Sequence, residues 1–139
     1  MRNRATCVRA LIAAAVVASA CRPASTNGSS DDIPVATTDT LQLRHGESIR
    51  TRDREMTVTF LQLVSDSRCR KNVVCVWQGD AAVRLKAVAS DGTVEATIHT
   101  ALDPKQLSLG THTLSVIDVR PYPGSADSTQ AASVVLLVR

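Results

Sequence analysis

Ala81-Ala82-Val83-Arg84-Leu85-Lys86-Ala87-Val88-Ala89-Ser90-Asp91-Gly92-Thr93-Val94-Glu95-Ala96-Thr97-Ile98-His99 is the stretch that decides the fold. Ala81, Val83, Leu85, Ala87 and Ala89 recur at every second position, with Arg84 and Lys86 between them. A period of two puts alternate side chains on opposite faces of a strand, so one face is apolar and the other wet. Asp91-Gly92 is a strong hairpin signal. Beyond it Val94, Ala96 and Ile98 resume the apolar stripe, with Glu95, Thr97 and His99 expected to face outward. The stretch therefore predicts two antiparallel strands, each half-buried.

The same period appears on both sides of this hairpin. Leu41 and Leu43 alternate with polar neighbours before a turn at His45-Gly46. Met56, Val58 and Phe60 alternate with Thr57 and Thr59, and then the apolar phase slips to Leu61 and Leu63. Leu114 and Val116 slip likewise to Ile117 and Val119, ahead of Pro121-Tyr122-Pro123-Gly124. A slip of phase inside a strand predicts a β-bulge or a change of sheet. Ser133 to Val138 is apolar on both faces, as in a strand from the middle of a sheet. No stretch has a 3.6-residue period. These features predict an all-β chain with an antiparallel, immunoglobulin-like two-sheet sandwich of about six or seven strands over residues 40–139. A small β-barrel is the alternative. The chain has one Trp, one Tyr and one Phe, too few for the aromatic girdles of an outer-membrane barrel.

The N-terminus gives an address. Arg2, Arg4 and Arg9 precede an Ala/Val-rich segment, Leu11 to Ala18, that is too short to span a membrane. Residues 1–20 therefore read as a signal peptide. The run Ala18-Ser19-Ala20-Cys21 resembles the cleavage site of bacterial lipoproteins, after which cysteine becomes the lipid-bearing first residue. That signal usually has Leu where Ala18 stands, and Ala18-Ser19-Ala20 also fits ordinary signal cleavage. Cysteine arithmetic favours the lipid. Of four cysteines, Cys7 leaves with the signal. Lipid on Cys21 then leaves Cys69 and Cys75 as one pair in an oxidising compartment. Residues 21–39 are rich in Pro, Ser, Thr, Asn, Gly and Asp and read as a disordered tether behind the lipid. The expected location is the bacterial cell envelope, on its periplasmic face or outer membrane.

The formal charge of +3 comes from 16 basic and 13 acidic residues. Losing the three signal arginines leaves 13 of each, so the mature chain is neutral and offers no electrostatic case for nucleic acid.

The most distinctive stretch is Asp66-Ser67-Arg68-Cys69-Arg70-Lys71-Asn72-Val73-Val74-Cys75-Val76-Trp77-Gln78-Gly79-Asp80-Ala81. A Cys69–Cys75 disulfide would close a short loop, with Trp77 packed beneath it. Asp66, Ser67 and Arg68 are expected to bond backbone at the loop base, as such residues do in turns. Arg68, Arg70 and Lys71 form a candidate binding loop. The pattern Asp-Ser-Arg-Cys-Pro-x-x-Val-x-Cys-x-Trp-x-Gly-x-Ala resembles that of an uncharacterised family of small bacterial secreted proteins and lipoproteins. The chain matches it at Asp66, Ser67, Arg68, Cys69, Val73, Cys75, Trp77, Gly79 and Ala81 and departs at Arg70, where proline is usual. The stretch Leu114 to Pro123 is similar to that family's late strand. The resemblance spans residues 40–139 and implies fold and address, without an activity.

His45, His99 and His112 share no metal-ligand spacing and read as surface residues, so neither metal nor cofactor is expected. Gly-x-Ser-x-Gly and phosphate-loop patterns are absent. The expectation is a non-catalytic, lipid-anchored interaction or structural module that meets the membrane through its lipid and an envelope protein through its domain. A reversible inhibitor of an exported protease, acting through the Cys69–Cys75 loop, is the alternative, and an enzyme is third.

Overall fold

The computed structural model describes residues 33–127 and 129–139. The signal segment 1–20, Cys21 and the tether as far as residue 32 lie outside the described residues. Eight strands follow in chain order: β1 (Thr40–Arg44), β2 (Ser48–Arg50), β3 (Met56–Asp66), β4 (Ala81–Ala89), β5 (Gly92–His99), β6 (Gln106–Leu109), β7 (His112–Arg120) and β8 (Ser133–Val138). They form two antiparallel four-stranded sheets, ordered β2-β3-β4-β5 and β1-β8-β7-β6. The sheets face each other as a sandwich and do not close into a barrel. The likeness to immunoglobulins is one of layers; here each sheet is built from consecutive strands, with β1 added beside β8. Two short strands, β2 and β6, carry the number past the six or seven expected. Three or four residues are too few for alternation to stand out.

The β4–β5 hairpin has the expected stripe. Val83 opposes Ile98, Leu85 opposes Ala96 and Ala87 opposes Val94. On the wet face Arg84 pairs with Glu95 at 2.6 Å. The turn sits one residue earlier than read: Ala89 pairs with Gly92, so Ser90 and Asp91 are the loop, and Gly92 takes φ +151° just after it. Both phase slips are irregularities of register within a sheet. In β3 the register shifts between Phe60 and Gln62 and again between Leu63 and Ser65. In β7 it shifts between Val116 and Asp118, which turns Ile117 outward and Val119 into the core.

The core is a layer of Leu41, Leu43, Met56, Val58, Phe60, Val83, Leu85, Ile98, Leu114, Val119, Val134 and Leu136, drawn from both sheets. Phe60 is its one aromatic ring. β8 lies inside its sheet, with Val134, Leu136 and Val138 buried and the alternate residues half-covered.

The tether ends earlier than its composition implied. Val35 bridges Arg50, the Ala36 amide donates to the Arg50 carbonyl at 2.8 Å, and the Arg50 amide donates to the Pro34 carbonyl at 2.8 Å. Ala36 joins the core. Asp39 pairs with Arg52 at 3.6 Å. Residues 33–39 therefore belong to the domain: one edge of β2 is open to pairing, and this segment fills it.

The fold has two poles. The tether enters beside Arg50, at the pole where β3 begins. β3 then runs 11 residues, about 35 Å, to Asp66 at the other pole.

Candidate functional site

The connection from β3 to β4, residues 67–80, projects from the far pole, and its base is tightly bonded. The Ser67 amide donates to the Asp80 carbonyl at 2.7 Å, and the Asp80 amide donates to Ser67 Oγ at 3.2 Å. Gly79 passes so close that a Cβ there would stand 1.9 Å from the Ser67 carbonyl oxygen. Glycine is thus required by contact rather than by its own dihedral freedom.

Arg68 locks this base to the opposite sheet. Its Nε and Nη2 donate to Asp66 Oδ1 and Oδ2 at 2.9 and 2.8 Å. Nη1 also donates to the Val119 carbonyl at 2.6 Å, and Nη2 to that of Pro121 at 3.2 Å. The guanidinium carbon lies 4.7 Å from the centre of the Tyr122 ring. The Arg68 side chain is only 9% exposed. That removes Arg68 from the candidate binding loop, because all its donor nitrogens are turned inward. Arg70 and Lys71 remain exposed.

Cys69 and Cys75 are bonded, with their Cα atoms 6.0 Å apart. Within the ring the Val73 amide donates to the Arg70 carbonyl at 3.2 Å, and Asn72 adopts φ +65°. The Lys71 amide donates to the Pro123 carbonyl at 3.0 Å, which ties the loop to the turn after β7. The loop is therefore held at its base, across its middle and along one flank.

The tip is apolar and faces solvent. Val74 is 99% exposed, Val76 100% and Trp77 82%. This corrects the expectation that Trp77 packs beneath the bridge. One sheet has ended by Asp66 and Ala81 and β7 of the other ends at Arg120, and the core there is already closed with Ala81, Val83 and Val119. The indole therefore lies outside the closed core. A Trp side chain buries about 150–250 Å² when enclosed. At about 25 cal/mol per Å² that is roughly 4–6 kcal/mol of burial free energy left unused by the isolated fold. Clustered exposed apolar groups of this kind mark contact surfaces. A groove of about 280 Å³ runs beside the loop, lined in part by Cys69, Gln78, Ile117 and Tyr122. Ile117, more than half exposed, extends the apolar patch along it.

Two of the three histidines are partnered rather than free on the surface. His99 Nδ1 lies 2.6 Å from Oδ2 of buried Asp80. The other carboxylate oxygen accepts from the amides of Ala101 at 2.9 Å and Leu102 at 3.4 Å, and from the Thr100 hydroxyl at 3.2 Å. Burial is the largest influence on Asp80 and would raise its pKa. The bond to His99 and the two amides together outweigh it and bring the pKa down to about 2. A buried carboxylate holding an imidazole is two-thirds of a hydrolase triad, but among the described residues no hydroxyl is bonded to the other ring nitrogen. His112 Nε2 lies 2.7 Å from Asp53 Oδ2. His45 packs edge-on against Phe60 at 6.0 Å. The partners of His99 and His112 are 19 and 59 residues away in the chain, so spacing gave no sign of them.

Comparison with protein-family models, with curated proteins and with solved structures finds no match.

Proposed function

We propose that the chain is a non-catalytic, lipid-anchored interaction module of the bacterial envelope that engages a protein partner through the 69–79 loop. The observation that carries this reading is the fully exposed apolar tip, Val74, Val76 and Trp77, on a loop whose base is rigidly bonded. A preorganised loop loses little conformational entropy on binding, and aromatic and Arg side chains are the usual anchors of protein interfaces.

The position of the loop lets it reach a protein beyond the anchoring bilayer. Eleven residues separate Cys21 from Ile33, a reach of at most about 37 Å. The tether enters at the pole that starts β3, and the loop stands a further strand length, about 35 Å, away. A domain standing on a drawn-out tether can thus carry the loop up to about 70 Å from the anchor. Arg70 and Lys71 beside the tip favour an apolar pocket with an acidic rim.

Inhibition of an exported protease is a second reading, favoured by the same protruding, disulfide-closed loop. The most exposed side chains point then to an apolar specificity pocket rather than a trypsin-like one.

A photo-crosslinking amino acid placed at Val76 of the lipidated protein, in intact cells, tests the proposal. One reproducible protein adduct is expected, weakened at least about tenfold by Trp77→Ala and by the joint change of Arg70 and Lys71 to Ser. Adducts to lipid alone, or none, would overturn it. Identification of the adduct as a protease would select the second reading.

A further inference from the structure

We propose that Asp53, Glu55 and His112, brought together at the tether pole, form a binding site for a late first-row divalent cation, Zn²⁺ foremost. The site is independent of the loop reading, since it lies at the opposite end of the domain.

The three residues come from two tight turns, one in each sheet. Asp53 and Glu55 sit in the β2–β3 connection, and His112 is the first residue of β7 after the β6 turn. One ligand atom from each lies within 4.8 Å of the other two. Four-coordinate Zn²⁺ with N and O ligands at about 2.0–2.2 Å holds neighbouring donors roughly 3.3 Å apart. His112 Nε2 and Asp53 Oδ2, at 2.7 Å, need to part by about half an ångström. The exposed Glu55 side chain needs only to swing inward.

Asp53 is already aimed. Its Oδ1 accepts from the Thr51 hydroxyl at 2.5 Å and from the Glu55 amide at 3.0 Å, which leaves Oδ2 directed at His112. Thr51 is itself buried, and the Met56 amide donates to its hydroxyl at 3.1 Å. A ligating carboxylate held by such outer partners is the arrangement metal sites use to fix ligand orientation. Of the two arginines that flank Asp53 in sequence, Arg52 is turned to Asp39 at 3.6 Å and Arg54 is exposed.

Two carboxylates and a neutral imidazole balance the charge of a divalent ion. Mixed N/O donors suit Zn²⁺ and its neighbours over Mg²⁺, which prefers oxygen. Beside the cluster lies an open cavity of about 230 Å³ lined by Glu55, Asp91 and His112 among others. It leaves room for water at the fourth position.

The test is calorimetric titration of the full mature chain with ZnCl₂, paired with Co²⁺ absorption spectra. One ion per chain is expected, with a tetrahedral Co²⁺ spectrum. Glu55→Gln should weaken binding at least about tenfold and leave the Asp53–His112 pair intact. It is the decisive variant, since His112→Gln also removes that pair. Absence of one-to-one binding by the wild type would overturn the proposal, and so would equal Zn²⁺ affinity of Glu55→Gln and wild type, which would mark an adventitious ion only.

Discussion

The Arg68 guanidinium meets the Asp66 carboxylate in a two-pronged, parallel pair, 2.9 and 2.8 Å long, at the base of the projecting loop. The same guanidinium reaches the Val119 and Pro121 carbonyls of the other sheet. One side chain thus joins the end of β3, the loop and the end of β7. Removing one partner of a buried ion pair strands the other, at about 3–5 kcal/mol. Arg68→Ala should therefore lower unfolding free energy by about 3 kcal/mol or more in urea titration. Arg68→Lys keeps the charge but loses the planar fork and the stack on Tyr122, and should fall between Ala and wild type. A change below about 0.5 kcal/mol for Arg68→Ala, the range of ordinary surface substitutions, would show that the pair does not hold the pole together.

The Cys69–Cys75 ring is small, so its effect on the unfolded chain is modest. Replacing both cysteines with Ala should cost about 2 kcal/mol by the loop-entropy relation. The sandwich should stay folded, because the loop contributes no residue to the main core cluster. Circular dichroism of the double variant checks the fold, and denaturant midpoints check the cost.

Trp77 is the chain's one tryptophan, so its fluorescence reports on the loop alone. At 82% exposure its emission should be that of a hydrated indole and should be quenched freely by iodide. Trp77→Ala should change stability by less than about 0.5 kcal/mol. A blue-shifted, shielded emission in the purified monomer would place the ring in contact with the domain after all.

Acid should weaken the far pole through Asp80. Its folded pKa, about 2, lies below the ordinary value of 3.8. A depressed carboxyl adds stability above its unfolded pKa and loses it as pH falls toward the folded one. Stability should therefore decline between about pH 4 and pH 2, by on the order of 2 kcal/mol from this group. Asp80→Asn should flatten the decline in that window, which urea titrations at stepped pH will show.

Much of the architecture was legible because strand burial leaves a local record. The stripe from Ala81 to Ala89 and the one from Val94 to Ile98 needed only neighbours two residues apart to be recognised. The slips at Phe60 and Val116 recorded irregular pairing in the same way. Residues 33–39 were misread because composition reports what a segment can bury by itself. Their bonds to Arg50 depend on an edge that exists only once β2 is paired with β3.

The sequence by itself determined the two-faced strands, the hairpin, the short disulfide loop and the residues at its base, since each follows from local period, turn chemistry or cysteine spacing. The tertiary structure decided everything that depends on what lies opposite. It closed the core without Trp77 and so left that ring in solvent. It turned Arg68 inward onto carbonyls more than fifty residues away. It set His99 on Asp80, and His112 beside Asp53 and Glu55. Side-chain chemistry is encoded residue by residue, but proximity across two sheets is a property of the packed chain.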